Sequence, residues 1–478
     1  MKSSTAFKSL ILLGFSTLAA TAATKFPTNP KPDLILGNGR PSTYNNTPIT
    51  TGKTLDSASS VVVSPASGKV FVADTDRNRI LRFRDVASLT NSAEPEEVFG
   101  QVRFDQAAPS DGALGLNKPT GIFLDRYGRL WVADSGNNRV VMYQDASSRI
   151  YPISADRTFG RANSGPGMLS TAGPYTPSPS PTSMHSPSSV WVDYSDRLWV
   201  SDSGNARILR FDNISMKVSG AAANGVLGKT DFTTPAPYYI DGPTSIGSIA
   251  ISPTGALFVS QPIYNRVIRF DNAASLPNGV NPSSVLGQPD FSTDSGPAPG
   301  LSSLSNPSGI TLTPDDSLWV LHGQGRKLTV FATASTKKDG APAEEFLKFP
   351  PEVVFGPAPS RVALGIYIDY QSKLWVPGNG VLRRYSADET KPVLSVSTVI
   401  DGTSKLKDLV IRGEASDEYG ISKVEYTINN SKPKSAVGKT NWKFMPRFRV
   451  GKNRLRIFAT DSVGNVSLTR TFKIVVKK

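Results

Sequence analysis

One short segment recurs six times along the chain, and that recurrence restricts the fold more than any other feature. The copies read Val70-Phe71-Val72-Ala73-Asp74, Leu130-Trp131-Val132-Ala133-Asp134, Leu198-Trp199-Val200-Ser201-Asp202, Leu257-Phe258-Val259-Ser260, Leu318-Trp319-Val320-Leu321 and Leu374-Trp375-Val376-Pro377. Their central valines stand 60, 68, 59, 61 and 56 residues apart, each preceded by an aromatic residue. A repeat at near-constant spacing builds one supersecondary unit per copy.

The unit is a set of strands. In the second copy, Gly121 to Asp125, Leu130 to Asp134 and Arg139 to Tyr143 alternate β-branched and aromatic residues between Gly and Asn turns. That pattern predicts three consecutive antiparallel strands. A separate signature supplies a fourth: Val98-Phe99-Gly100-Gln101, Thr158-Phe159-Gly160-Arg161, Val226-Leu227-Gly228-Lys229, Val285-Leu286-Gly287-Gln288 and Val353-Val354-Phe355-Gly356. One further copy, Leu34-Ile35-Leu36-Gly37, precedes the first repeat, and the sixth repeat has none after Val381 to Tyr385. The expected fold is therefore all-β, a six-bladed propeller of four-stranded blades in which the N-terminal strand completes the last blade.

The turns after the recurring segment read Asp74-Thr75-Asp76-Arg77-Asn78-Arg79, Asp134-Ser135-Gly136-Asn137-Asn138-Arg139 and Asp202-Ser203-Gly204-Asn205-Ala206-Arg207. With the Gly-Gln-Pro-Asp-Phe of 287–291, they resemble the NHL-repeat family over roughly residues 33–386. The resemblance implies a propeller and no single function, because the scaffold hosts many. Repeats five and six depart from it, with His322-Gly323-Gln324-Gly325 and Pro377-Gly378-Asn379-Gly380 in place of the acidic turn.

Residues 1–23 read as a secretory signal peptide. Lys2 and Lys8 precede an apolar run from Leu10 to Ala20, and Ala20-Thr21-Ala22 or Thr21-Ala22-Ala23 offers a cleavage site. The run is too short to span a membrane, and no later segment is long enough. The chain has no cysteine, which excludes disulfides, thiolate nucleophiles and a lipid-modified cysteine. Together these suggest a secreted or periplasmic protein, most simply bacterial.

The propeller is expected over 24–386 and a linker over 387–392. A second domain over 393–478 should be an Ig-like β-sandwich. Its expected strands are Leu394 to Val396, Leu409 to Gly413, Lys423 to Ile428, Arg454 to Thr460 and Thr471 to Val476. The loops 415–420 and 459–465 resemble those of bacterial Ig-like modules, and Trp442 fits a central tryptophan. From Glu389 to Lys478 there are 18 Lys and Arg against 8 Asp and Glu. The propeller is close to neutral, so the tail is suited to an anionic envelope surface.

The search for chemistry returns binding more readily than catalysis. Some six-bladed relatives are lyases or metal-dependent hydrolases with a site over the central channel, so a propeller lyase or hydrolase is the alternative. This chain has only His185 and His322, in different repeats and in no metal-ligand spacing. Asp74 to Asn78 alternates oxygen ligands but lacks the glycine and distal glutamate of a calcium loop, so Asp74 is expected to bond backbone amides in its turn. No cofactor or metal is expected. Arg79, Arg139, Arg207 and Arg266 recur at one position and are expected to bond backbone carbonyls between blades. The second-to-third-strand turns share a face with the long connections Arg103 to Lys118, Arg161 to Pro187, Phe232 to Thr244 and Phe291 to Pro307. On that face Tyr175, Tyr238 and Tyr239 stand either to present rings to a sugar or peptide or to pack as lids, with His322 as a further binding candidate. The expected partners are a protein or polysaccharide and an anionic envelope surface. Specific nucleic-acid binding is not expected, and the chain is expected to be monomeric.

Overall fold

The computed structural model describes residues 26–27, 30–37, 55–161, 178–235, 246–293, 300–323, 327–349, 365–378, 380–398 and 409–476. The leader read at 1–23 lies outside them. Internal contacts separate a unit over Thr28–Ser386 from a second that includes Ala387–Lys478.

The first unit is a six-bladed β-propeller of four-stranded antiparallel blades. Blade two shows the plan, with strands Pro119–Leu124, Leu130–Asp134, Arg139–Tyr143 and Arg157–Phe159 in spatial and sequence order. Blade six has only three strands from its own repeat. Its fourth is Leu34–Gly37, paired residue by residue with Val381–Tyr385 from Leu34 opposite Arg384 to Gly37 opposite Val381. The ring is closed by the strand nearest the N-terminus.

The core lies between blades. Trp131, Val140 and Phe159 of blade two pack on Val190, Val200 and Leu209 of blade three, and equivalent clusters fill the neighbouring junctions. The aromatic of the recurring segment has a polar duty as well. Trp131, Trp199 and Trp375 each donate their indole N–H to the Asp six residues earlier, at 2.8, 3.0 and 2.8 Å. In blade two that Asp125 also accepts the amides of Tyr127 and Arg129, so one carboxylate closes the turn between the first two strands.

One expected strand is displaced. In blade five the fourth strand is Glu345–Lys348 rather than Val353 to Gly356, which falls in 351–364, outside the described residues. Connector length explains the difference. In blades one to four the fourth strand opens 14 residues after Phe83, Tyr143, Phe211 and Phe270 of the third strand, and Phe331 sets Glu345 at the same interval.

The second unit is a β-sandwich. Val393–Val396, Ile411–Ser416 and Asn441–Phe444 form one sheet, and Lys434–Ser435, Ile421–Ile428, Gly451–Asp461 and Arg470–Val476 the other. Trp442, Phe444, Ile457 and Ile474 are among the side chains buried between them. Two strands, Lys434–Ser435 and Asn441–Phe444, had no counterpart in the sequence reading. The first is two residues long, and the second shows its alternation only as Trp442 and Phe444 between polar neighbours.

Candidate functional site

Two sets of residues could carry function in the propeller: the recurring acidic turns and the central channel. The second strand ends in Asp74, Asp134 and Asp202 in the first three blades, followed by a 3-10 turn and a left-handed residue at Asn78, Asn138 or Ala206. The tight turn aims each carboxylate back into its own blade. One oxygen accepts the backbone amide 17 residues earlier, from Ser57, Asn117 and His185 at 3.0, 2.7 and 2.6 Å. The other takes the guanidinium five residues later, from Arg79, Arg139 and Arg207 at 3.0, 2.7 and 2.7 Å. Gln261 holds Arg266 in the same way in blade four, at 2.7 Å.

The free ends of these arginines reach the long connections. Arg139 donates to the carbonyls of Asp111, Gly112 and Gly115, and Arg207 to those of Ser180, Ser183 and Phe232. Arg79 reaches Phe104, and Arg266 reaches Phe291. The expected carbonyl bonds are present, and each arginine also has a polar partner within its own blade. The turns and connections share one face, where the arginines act as clamps. Burial pushes the carboxyls of Asp134 and Asp202 upward, against the pull of Arg139 and Arg207.

His322 occupies the same position in blade five. It ends the strand Leu318–His322 and is 3% exposed, so it is not a loop residue. Its Nδ1 accepts the amide of Ser305, again 17 residues earlier, at 3.1 Å, which leaves the proton on Nε2 to donate to Thr329 Oγ1 at 2.8 Å. Both ring nitrogens are therefore committed inside the blade. His185 is half-buried in another blade. Among the described residues, neither histidine belongs to a cluster of three potential metal ligands. Tyr175, Tyr238 and Tyr239 lie outside the described residues.

Burial, and then the charge of Lys327, hold the His322 imidazolium down to about 3. The unfolded chain takes up that proton near about pH 6.5. Stability from the neutral ring is thus complete above about pH 6.5 and is lost as the pH falls toward about 3. Between about pH 6.5 and 5 the loss should approach about 2 kcal/mol. His322→Asn keeps an acceptor and a donor, so it should remove that share of the acid sensitivity. Urea unfolding of both chains at about pH 7 and pH 5 measures it.

The channel is lined by the first strands of all six blades, including Ser60, Gly121, Ser189, Ser248, Thr311 and Tyr367. Neighbouring strands approach so closely that a Cβ on Gly121 would lie 2.6 Å from the Ser188 carbonyl oxygen. Hydroxyls stitch the ring together. Ser59 donates to the Thr120 carbonyl, Thr120 to that of Ser188, and Ser188 to that of Gly247, at 3.1, 3.1 and 3.0 Å. Tyr367 is the one titratable side chain in the described lining, and burial raises its phenol further above neutrality.

The opposite face is different. Tyr127, Tyr194 and Tyr370 stand exposed on the turns between first and second strands. Farther out, Ile150, Tyr151, Met216 and Val218 lie exposed between third and fourth strands of blades two and three. Arg129 bridges these blades, donating to Asp196 Oδ1 at 2.8 Å and to Ser215 Oγ at 2.6 Å. The rings expected from the sequence, Tyr175, Tyr238 and Tyr239, belong to the long connections of the other face. In the aligned turns Tyr194 and Tyr370 both directly follow the turn aspartates Asp193 and Asp369, while Tyr127 stands one place further from Asp125.

Fold and sites together define a six-bladed β-propeller protein with an appended β-sandwich. No protein-family model matches the chain, and no curated protein matches it. Solved structures with a similar fold include virginiamycin B lyase from Staphylococcus aureus, at 13% identity over 72% of this chain and 89% of that one, with a TM-score of 0.39. The extracellular domain of the hybrid two-component system BT4673 from B. thetaiotaomicron is similar at 13% identity, over 91% of this chain and 59% of that one, with a TM-score of 0.40. PorZ, a surface component of the type-IX secretion system of Porphyromonas gingivalis, is similar at 14% identity, over 87% of this chain and 52% of that one, with a TM-score of 0.40. Likeness at this level is one of fold, so function has to be argued from residues.

Proposed function

We propose that this protein is an exported, noncatalytic binding propeller whose protein ligand docks on the face formed by the exposed turns of blades two and three. The observation that carries the reading is the exposure of several large apolar and aromatic side chains on the turns of these two blades. Met216, Ile150, Val218 and Tyr194 are 84, 75, 73 and 66% exposed, and large apolar side chains left this open on neighbouring blades are suited to an interaction site. Aromatic and methionine side chains are also the types enriched at protein interfaces. The recurring Asp and Arg side chains and His322 are committed to bonds within the propeller.

The second unit is suited to an anionic envelope surface. Its two antiparallel sheets, with Trp442 buried between them, support reading the sandwich as Ig-like. Arg412 lies directly opposite Lys443 on one sheet and Arg454 opposite Lys473 on the other, all four exposed. Like charges placed opposite each other are unfavourable until an anionic partner screens them.

Immobilised mature protein should retain a defined envelope protein, identified by cross-linking and mass spectrometry. Met216→Asp with Val218→Asp should abolish that capture while leaving thermal stability within about 0.5 kcal/mol per site. Capture that survives in the double variant, or glycan binding that the variant leaves intact, would overturn the assignment of this face.

A further inference from the structure

Three carboxylates meet within the second unit, two of them, Asp417 and Asp461, at the same place in the like-sequence loops 415–420 and 459–464. Asp388 lies in the segment entering the sandwich, Asp417 follows the strand Ile411–Ser416, and Asp461 ends the strand Gly451–Asp461. One oxygen from each lies within 4.8 Å of the other two. Asp388 and Asp461 are 4 and 1% exposed, and Asp417 is half-buried.

Local bonds account for one oxygen of each residue. Asp461 Oδ1 accepts the amides of Val463, Gly464 and Asn465 at 2.9, 2.7 and 2.9 Å. Asp388 Oδ1 accepts the amide and hydroxyl of Thr390 at 3.0 and 2.6 Å, and Asp417 Oδ1 the amide of Tyr419 at 2.9 Å. The second oxygens of Asp388 and Asp461 are buried with no hydrogen-bond partner. Leaving such atoms unsatisfied is costly, and gathering like charges in a buried place compounds the cost. The unit carries 18 Lys and Arg from Glu389 onward, yet among the described residues none forms an ion pair with these three acids.

We propose that Asp388, Asp417 and Asp461 form a calcium site. An all-oxygen, carboxylate-rich donor set selects a hard cation. Calcium–oxygen distances of about 2.3–2.6 Å allow ligand oxygens to stand up to about 4.6–5.2 Å apart, which admits the 4.8 Å limit found here. Magnesium, at about 2.0–2.1 Å, would require the carboxylates to draw together to within about 4.2 Å. A bound ion would neutralise the cluster and tie the entering segment to two loops of the sandwich. The site is independent of the propeller's ligand. It is also distinct from the turn at Asp74, whose carboxylate is committed to Arg79 and to the amides of Asp56 and Ser57.

The test uses the full mature chain, treated with chelator, desalted and titrated with calcium chloride by calorimetry. A parallel series follows thermal unfolding in calcium or magnesium up to about 10 mM. One equivalent of calcium should bind, with Kd in the range of about 10⁻⁵–10⁻³ M, and Tm should rise with calcium more than with magnesium. Asp417→Asn keeps the oxygen that accepts the Tyr419 amide, so it should fold without metal, bind calcium at least about tenfold more weakly and lose most of the Tm response. Absence of both heat and Tm shift in the wild-type chain overturns the site, as does an Asp417→Asn chain that responds like wild type. The wild-type titration decides alone should the variant fail to fold.

Discussion

Arg207→Ala is expected to lower the stability of the propeller by about 3–5 kcal/mol, the range for stripping one partner from a buried ion pair. Arg207 and Asp202 are both fully buried, with Nε and Oδ2 2.7 Å apart. Losing the guanidinium leaves a carboxylate in the blade without its counter-charge. It also takes the donor from the carbonyls of Ser180, Ser183 and Phe232, which lie on two different connections. Burial already raises the Asp202 carboxyl while Arg207 pulls it down, so the variant should hold Asp202 protonated over a wider pH range. In that window the native variant binds a proton that the unfolded chain releases near about pH 3.9, so its stability falls as pH rises. The deficit should be larger at about pH 8 than at about pH 5, read from urea midpoints at both. Arg103→Ala is the contrast. Its ion pair with Asp105, at 2.7 Å, is exposed, so the change should stay within about 1 kcal/mol. Similar small losses for both variants would refute the view that the arginines clamp the connections.

What the sequence disclosed follows the same division between local and distant causes. Strands repeat because each blade needs the same alternation, and the turns of blades one to four repeat because they share a clamp. Val72, Val132, Val200 and their equivalents therefore announce the ring before any contact is known. The closing role of Leu34 to Gly37 was legible too, since one copy was spare at one end and missing at the other. The Val-Phe-Gly signature misled at blade five, where the distance from Phe331 governs and Glu345–Lys348 forms the outer strand. His322 looked like a turn residue because its role depends on position: it replaces Asp74, Asp134 and Asp202 and accepts the same amide. Asp417 and Asp461 stand at the same place in two loops of like sequence, 415–420 and 459–464, but nothing in that likeness joins them to each other or to Asp388. The three acids come from three separate segments of the sandwich, and only folding brings them together.

Ring closure leads to the second large effect, that Leu36→Ala should cost about 2–5 kcal/mol, as for other large-to-small changes in a well-packed core. Leu36 is fully buried and Leu34 nearly so, among Val61, Val70, Trp375 and Leu382. The strand is held on both sides. Arg384 and Asp33 form an ion pair at 2.8 Å, while Ile35 exchanges bonds with Asn91 Oδ1 and the Ser92 amide at 2.8 and 2.9 Å. Without it, Val381–Tyr385 would become an unpaired edge, a template for another chain. A chain beginning at residue 38 should therefore be much less stable and prone to associate through that edge. A synthetic peptide spanning 30–37 should restore the missing strand in trans, raising Tm with peptide concentration as linkage requires. The same peptide with Leu34→Asp and Leu36→Asp should fail, because it would bury two charges against an apolar junction. If the truncated chain melts like the intact one, or if both peptides act alike, the N-terminal strand is not what holds the ring shut.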